Sequence, residues 1–253
     1  MAKRILILGG TTEARELAAA LARRPDIAVT VSLAGRTAQV VEQGAPTRIG
    51  GFGGAPGLAA HLRAERIDGL VDATHPYAAE MSANAARAAR ETGTPFLALR
   101  RPPWRRQAGD DWTEVAGEVE AVAALGSAPR RVFLALGRKE LAPFAMAPQH
   151  AYLIRSVDPV EPPLAVPHAA YVLGRGPFTE AGDRALIEAH RIGVVVARNS
   201  GGSAAYGKIA AARALRLPVV LIARPPLPEV AAIAGSVEEA LAWLDHALAL
   251  RGE

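Results

Sequence analysis

Short, uniformly apolar runs alternate with longer stretches of helical spacing along this chain, and that alternation restricts it to one architecture. Ile5–Leu8, Val29–Leu33, Gly69–Asp72 and Phe96–Leu99 are such runs. Between them, Glu13–Arg23, Gly57–Glu65 and Ala78–Glu91 place Leu17, Leu21 and several alanines on one helical face. A strand that is apolar on both faces must be covered on both faces, so the pattern predicts parallel strands sandwiched between helices. The period lapses from Arg100 to Asp111, where Pro102 and Pro103 bar a helix. It resumes at Arg131–Gly137, with further strands expected at Tyr152–Arg155, Ala170–Leu173, Gly193–Ala197 and Val219–Ile222. Helical spacing recurs at Glu180–His190, Ala204–Leu215 and Val237–Leu250.

The second half thus repeats the first in outline. Ile5–Glu13 and Val132–Glu140 each read as a strand, a glycine turn and a helix with an early Glu. The expected fold is α/β: two Rossmann-like domains with mostly parallel sheets and a ligand cleft between them. The division falls near Gly126–Pro129, giving residues 1–126 and 127–253, with a C-terminal helix able to pack back on the first domain. A chain of 253 residues is long enough for two such cores.

Composition removes several function classes. With no cysteine there is no disulfide, Cys-ligated metal or thiol nucleophile, and no metal site is expected. The 29 basic residues exceed the 25 acidic ones only slightly and form no block, so a nucleic-acid partner is not expected. The apolar run after Lys3 and Arg4 breaks at Gly9-Gly10, too soon for a leader, and no run approaches the ~20 residues of a membrane span. A cytoplasmic protein without a membrane partner is the expectation.

The first strand runs directly into Gly9-Gly10-Thr11-Thr12-Glu13. Glycine admits a tight turn and a close ligand, and the following helix start offers N–H groups and hydroxyls to a pyrophosphate. Thr11 or Thr12 capping the helix is the structural alternative. The second strand ends in Ser32-Leu33-Ala34-Gly35-Arg36, with no carboxylate for a ribose diol; Arg36 there suits the extra phosphate of NADPH. Gly50–Gly57 is a second glycine-dense loop, readable as a ligand approach or as a connector.

Asp72-Ala73-Thr74-His75-Pro76-Tyr77 closes a strand at the end where α/β sheets bind ligands. His75 and Tyr77 are candidate proton donors and Thr74 a candidate substrate contact, while Asp72 or Thr74 capping a helix is the alternative. In the second half, Asn199-Ser200-Gly201-Gly202-Ser203 and Lys208 form a candidate anion pocket at a helix start. Arg138, Lys139 and Arg175 lie at neighbouring strand ends and would put cations along one edge, for a polyanion or as a solvated rim.

In order along almost the whole chain, these motifs resemble the precorrin-6A reductase family of cobalamin biosynthesis. The resemblance rests on Ile7–Arg15, Ala34-Gly35-Arg36, Asp72–Ala78, Gly137-Arg138-Lys139-Glu140, Asn199–Gly202, Lys208–Arg213 and Leu217–Val220. It implies NADPH-dependent reduction of one carbon–carbon double bond in a tetrapyrrole polycarboxylate, converting precorrin-6A to precorrin-6B, and the family includes a cobalt-precorrin-6A branch. It also gives the cations at the second set of strand ends a substrate to hold. A two-domain nucleotide-sugar glycosyltransferase and a non-catalytic NADP-binding sensor are the alternatives of like architecture.

Overall fold

Two six-stranded sheets, every strand parallel to its neighbours, organise the computed structural model of the chain, which describes residues 2–35 and 41–249. The first sheet is built from β1 (Lys3–Leu8), β2 (Ile27–Leu33), β3 (Thr47–Ile49), β4 (Gly69–Asp72), β5 (Phe96–Leu99) and β12 (Ile233–Ala234). Its spatial order is β12-β5-β4-β1-β2-β3. Helices α1 (Thr12–Leu21) and α7 (Val237–Ala249) cover one face, packing Leu17, Leu21 and Leu244 on Ile5, Ile7 and Val71. Helices α2 (Gly54–Ala64) and α3 (Ala79–Thr92) cover the other, with Leu58, Leu62 and the small side chains Ala85, Ala88 and Ala89 over Leu6, Leu8 and Leu70. The alanines let α3 lie close to the sheet, as their abundance suggests.

The second sheet comprises β6 (Trp112–Val115), β7 (Arg131–Ala135), β8 (Ala151–Ser156), β9 (Ala169–Leu173), β10 (Val194–Arg198) and β11 (Val219–Ile222), in the order β6-β11-β10-β7-β8-β9. Helices α5 (Glu180–Ala189) and α6 (Gly207–Ala214) contribute Ile187, Ile209, Ala211 and Ala212 to one buried face. Helix α4 (Glu118–Leu125) packs on β11 and on a 3-10 turn, Ala142–Met146. The five core strands of both sheets follow one order, 3-2-1-4-5, with the crevice of the dinucleotide-binding fold between the first and fourth. In both sheets the sixth strand is added beyond the fifth.

Those added strands relocate the boundary expected at 126. The compact units are residues 1–102 with 225–253, and residues 103–224. Strand β6 pairs with β11, so the segment before 126 joins the second sheet; β12 pairs with β5, and α7 packs on α1, so the C-terminus joins the first. The proline-rich crossings at Pro102-Pro103 and Pro225-Pro226 carry no period to mark this exchange. Two further corrections are local. No α-helix follows β7: with Pro143 inside the segment and Pro148 just after it, only the 3-10 turns Arg138–Glu140 and Ala142–Met146 form. Helix α6 begins at Gly207, not Ala204, so Asn199–Tyr206 is a loop ahead of it. Among the described residues no helix is long and apolar enough to cross a membrane.

Candidate functional site

At the carboxyl edge of the first sheet, the turn after β1 is shaped by two glycines with different jobs. Gly9 donates its N–H to the Ser32 carbonyl, and a Cβ there would come within 2.7 Å of Val31. Gly10 has φ +118, outside the range of ordinary side chains, and open space where a Cβ would stand. The hydroxyl of Thr11 is already committed. It caps α1 by accepting from the Ala14 N–H at 3.1 Å, and donates to the Ala73 carbonyl at 2.9 Å, tying the turn after β1 to the end of β4. The Thr11 hydroxyl proton is thus spent inside the protein, while the N–H groups of Thr12 and Glu13, in the first turn of α1, have no helical carbonyl to bond. The Thr12 hydroxyl accepts from Arg15 at 3.3 Å, and Glu13 pairs with Arg101 at 2.7 Å. Arg36 lies outside the described residues.

The turn after β4 is held by one buried carboxylate. Asp72 accepts from the Thr74 N–H at 3.1 Å, the Thr74 hydroxyl at 2.6 Å and the Ser82 hydroxyl at 2.5 Å. Three donors make it an organising anion, and Thr74 spends its hydroxyl on it. Beyond, the half-buried rings of His75 and Tyr77 are 5.6 Å apart, and the Tyr77 N–H donates to His75 Nδ1 at 3.4 Å. At the end of β5, Arg100 donates to the Pro228 carbonyl at 3.2 Å while its Nε is buried without a partner. Burial lowers its pKa from the ordinary arginine value, and the charge of Asp72 opposes that shift.

The corresponding edge of the second sheet is rich in cations. Arg138 is exposed and lies 3.8 Å from Asp158; Lys139 and Arg175 are also exposed. Asn199 spends its amide on the protein itself. Its Oδ1 accepts from the Trp104 N–H at 2.7 Å and its Nδ2 donates to the Trp104 carbonyl at 3.0 Å, so the amide clamps the 103–111 segment to the end of β10. Ser200 is buried, and its carbonyl accepts from Arg224 at 3.1 Å. Gly201 and Gly202 both have φ +68, and the Gly202 carbonyl accepts from Trp104 Nε1 at 2.7 Å. Lys208 is buried as well: its ammonium donates to the Ala205 carbonyl at 2.6 Å and stands 5.0 Å from the Trp104 ring. Desolvation, with Arg155 and Arg198 adding repulsion, pushes its pKa from 10.5 down to about 7.

The match to known proteins is nearly complete in length. Residues 4–245 match the family described as Precorrin-6x reductase CbiJ/CobK. The chain belongs to the precorrin-6x reductase family. A precorrin-6A reductase from Sinorhizobium sp is 56% identical over 246 residues, 97% of this chain and 94% of that protein. One from Rhodobacter capsulatus is 52% identical over 250 residues, covering 98% and 99%. A solved structure of a CobK precorrin-6A reductase superposes with a TM-score of 0.93 at 50% identity, covering 97% of each chain. The two-sheet α/β architecture is therefore that of the family, and neither alternative class expected from the sequence is favoured.

Several residues of this precorrin-6x reductase family member shape the edges without having been singled out by motif. Arg155 pairs with Asp183, both buried, with its guanidinium 3.7 Å from the Phe178 ring and 4.9 Å from that of Phe133. Arg198 pairs with Glu140 at 2.9 Å, linking the ends of β10 and β7, and Arg224 holds the carbonyls of Asn199 and Ser200. Their signal in the sequence was an arginine ending or following an otherwise apolar strand. Trp104 had no such signal, because its role depends on the chain crossing that the period concealed.

Proposed function

We propose that this chain is a precorrin-6A reductase, using NADPH to reduce one carbon–carbon double bond of precorrin-6A to precorrin-6B in cobalamin biosynthesis. The observation that carries this reading is the family match across residues 4–245. The two anion-suited edges support it: one has the free N–H groups and open glycine that a pyrophosphate requires, the other the cations that many carboxylates require.

The residues present fit the dinucleotide. Gly10 leaves open the space a side chain would fill, and the N–H groups of Thr12 and Glu13 are directed outward from α1. Bound there, NADPH supplies a hydride. Arg36 holds its additional phosphate in this proposal. Thr11 and Asp72 keep the two turns in place, so the cost of ordering the site is met before the cofactor arrives. Arg138, Lys139 and Arg175, with the backbone of Gly201 and Gly202, hold carboxylates of the tetrapyrrole. Ser200, Asn199 and Lys208 support that loop from below. Addition of hydride to one carbon leaves its neighbour to take a proton, and His75 as the imidazolium, or Tyr77, delivers it in this proposal.

Titration with NADPH and then with precorrin-6A, followed by absorbance, tests the reading. Equimolar loss of NADPH and of the conjugated macrocycle is the expected result. NADPH binding without any change in the tetrapyrrole would instead describe a sensor, and binding of a nucleotide sugar a glycosyltransferase.

A further inference from the structure

Arg48, in the short edge strand β3, belongs to no motif of the sequence, yet its guanidinium is built into the end of the first sheet. It stands in register with Ser32 of β2, and one of its nitrogens, Nη1, donates to the Ser32 hydroxyl at 2.9 Å and to the Gly50 carbonyl at 2.8 Å. Nη2 donates to the Gly51 carbonyl at 3.2 Å, and Cζ of the guanidinium lies over the Phe52 ring, 3.9 Å from its centre. Three of its five N–H groups are thus used, all on neutral acceptors. Among the described residues Arg48 forms no ion pair. The remaining donors, Nε–H and one Nη2–H, are the adjacent pair that engages a phosphate or carboxylate in two parallel hydrogen bonds.

The position of this fork is informative. In a dinucleotide fold the adenosine ribose meets the carboxyl end of the second strand, where a carboxylate would bind its 2′-hydroxyl. Here β2 ends with Ser32 and Leu33, and the group in that place is a cation held by Ser32. The loop after β3 leaves room beside it, since Gly50, Gly51 and Gly53 have nothing within 4 Å of where a Cβ would stand. We infer that Arg48 is a specificity-determining residue that binds the 2′-phosphate of NADPH through its free guanidinium edge, in addition to the contact proposed above for Arg36. A cation locked by stacking and three hydrogen bonds loses little freedom on binding, which suits it to selectivity better than a free surface arginine.

This inference rests on the NADPH reading above, and the experiment separates the two. Calorimetric titration with adenosine 2′,5′-bisphosphate and with AMP reports the 2′-phosphate alone. The parent protein is expected to prefer the bisphosphate, and Arg48→Met to lose about 10- to 100-fold of that preference while its AMP affinity stays within about threefold. Arg48→Lys keeps the charge and the fold but not the fork, and should fall between them; it decides the matter if Arg48→Met melts early by circular dichroism. No preference in the parent would overturn the NADPH reading and this inference with it. A preference that survives in both variants, or an equal loss for both nucleotides, would overturn the role of Arg48 and leave the NADPH reading standing.

Discussion

Replacing Lys208 with Met tests whether burial controls its charge. The side chain is 4% exposed, and its pKa falls from 10.5 to about 7 chiefly because the ammonium loses water, with Arg155 and Arg198 repelling it and Asp183 attracting it. The folded-state value lies below the unfolded one, so between pH ~7 and ~10 the unfolded chain holds a proton that the folded chain has released. Stability must therefore rise with pH across that window, by up to about 1.4 kcal/mol per pH unit, and the whole cost of the buried charge, on the order of 5 kcal/mol, is present below it. Methionine fills similar space without a charge. The parent is expected to gain about 2 kcal/mol more than Lys208→Met between pH 7.5 and 9.0. Trp104 and Trp112 lie in the unit that contains Lys208, and Trp243 in the other, so urea unfolding followed by tryptophan fluorescence in a Trp243→Phe background reads this unit. Parallel stability–pH curves for parent and variant would refute the argument, because a solvated Lys208 releases no proton in that range.

Arg36→Ala should weaken NADPH binding by roughly 1–3 kcal/mol, one charge-assisted contact, and leave NADH binding nearly unchanged; fluorescence titration with both cofactors checks it, and equal losses would move Arg36 away from the extra phosphate. His75→Ala or Tyr77→Phe should slow single-turnover reduction by ~10²–10⁴-fold if that residue delivers the proton. Rates within about threefold of the parent for both would assign protonation to solvent. Asn199→Ala removes both hydrogen bonds to the Trp104 backbone and should cost about 1–3 kcal/mol in urea unfolding; an unchanged midpoint would show that the clamp contributes nothing.

Period and punctuation in the sequence determined the α/β class, the parallel strands and the edges at which chemistry is placed. Uniformly apolar runs such as Ile5–Leu8 and Val194–Ala197 can only be satisfied between two helical layers, and glycine after a strand marks where the backbone is left open. Which hydroxyls and cations remain free at those edges is a tertiary matter. Thr11 and Asn199 have the chemistry of ligand contacts, yet partners 62 and 95 residues away in the chain take up their hydrogen bonds. Lys208 looks like a surface cation until the loop before α6 and Trp104 close over it. The exchange of β6 and β12 likewise has no local signature, because a four-residue or two-residue edge strand is stabilised by the sheet it joins rather than by its own residues. Local sequence specifies an element through its own burial pattern. Pairing at long range decides which sheet receives it and which of its polar groups are left to bind anything else.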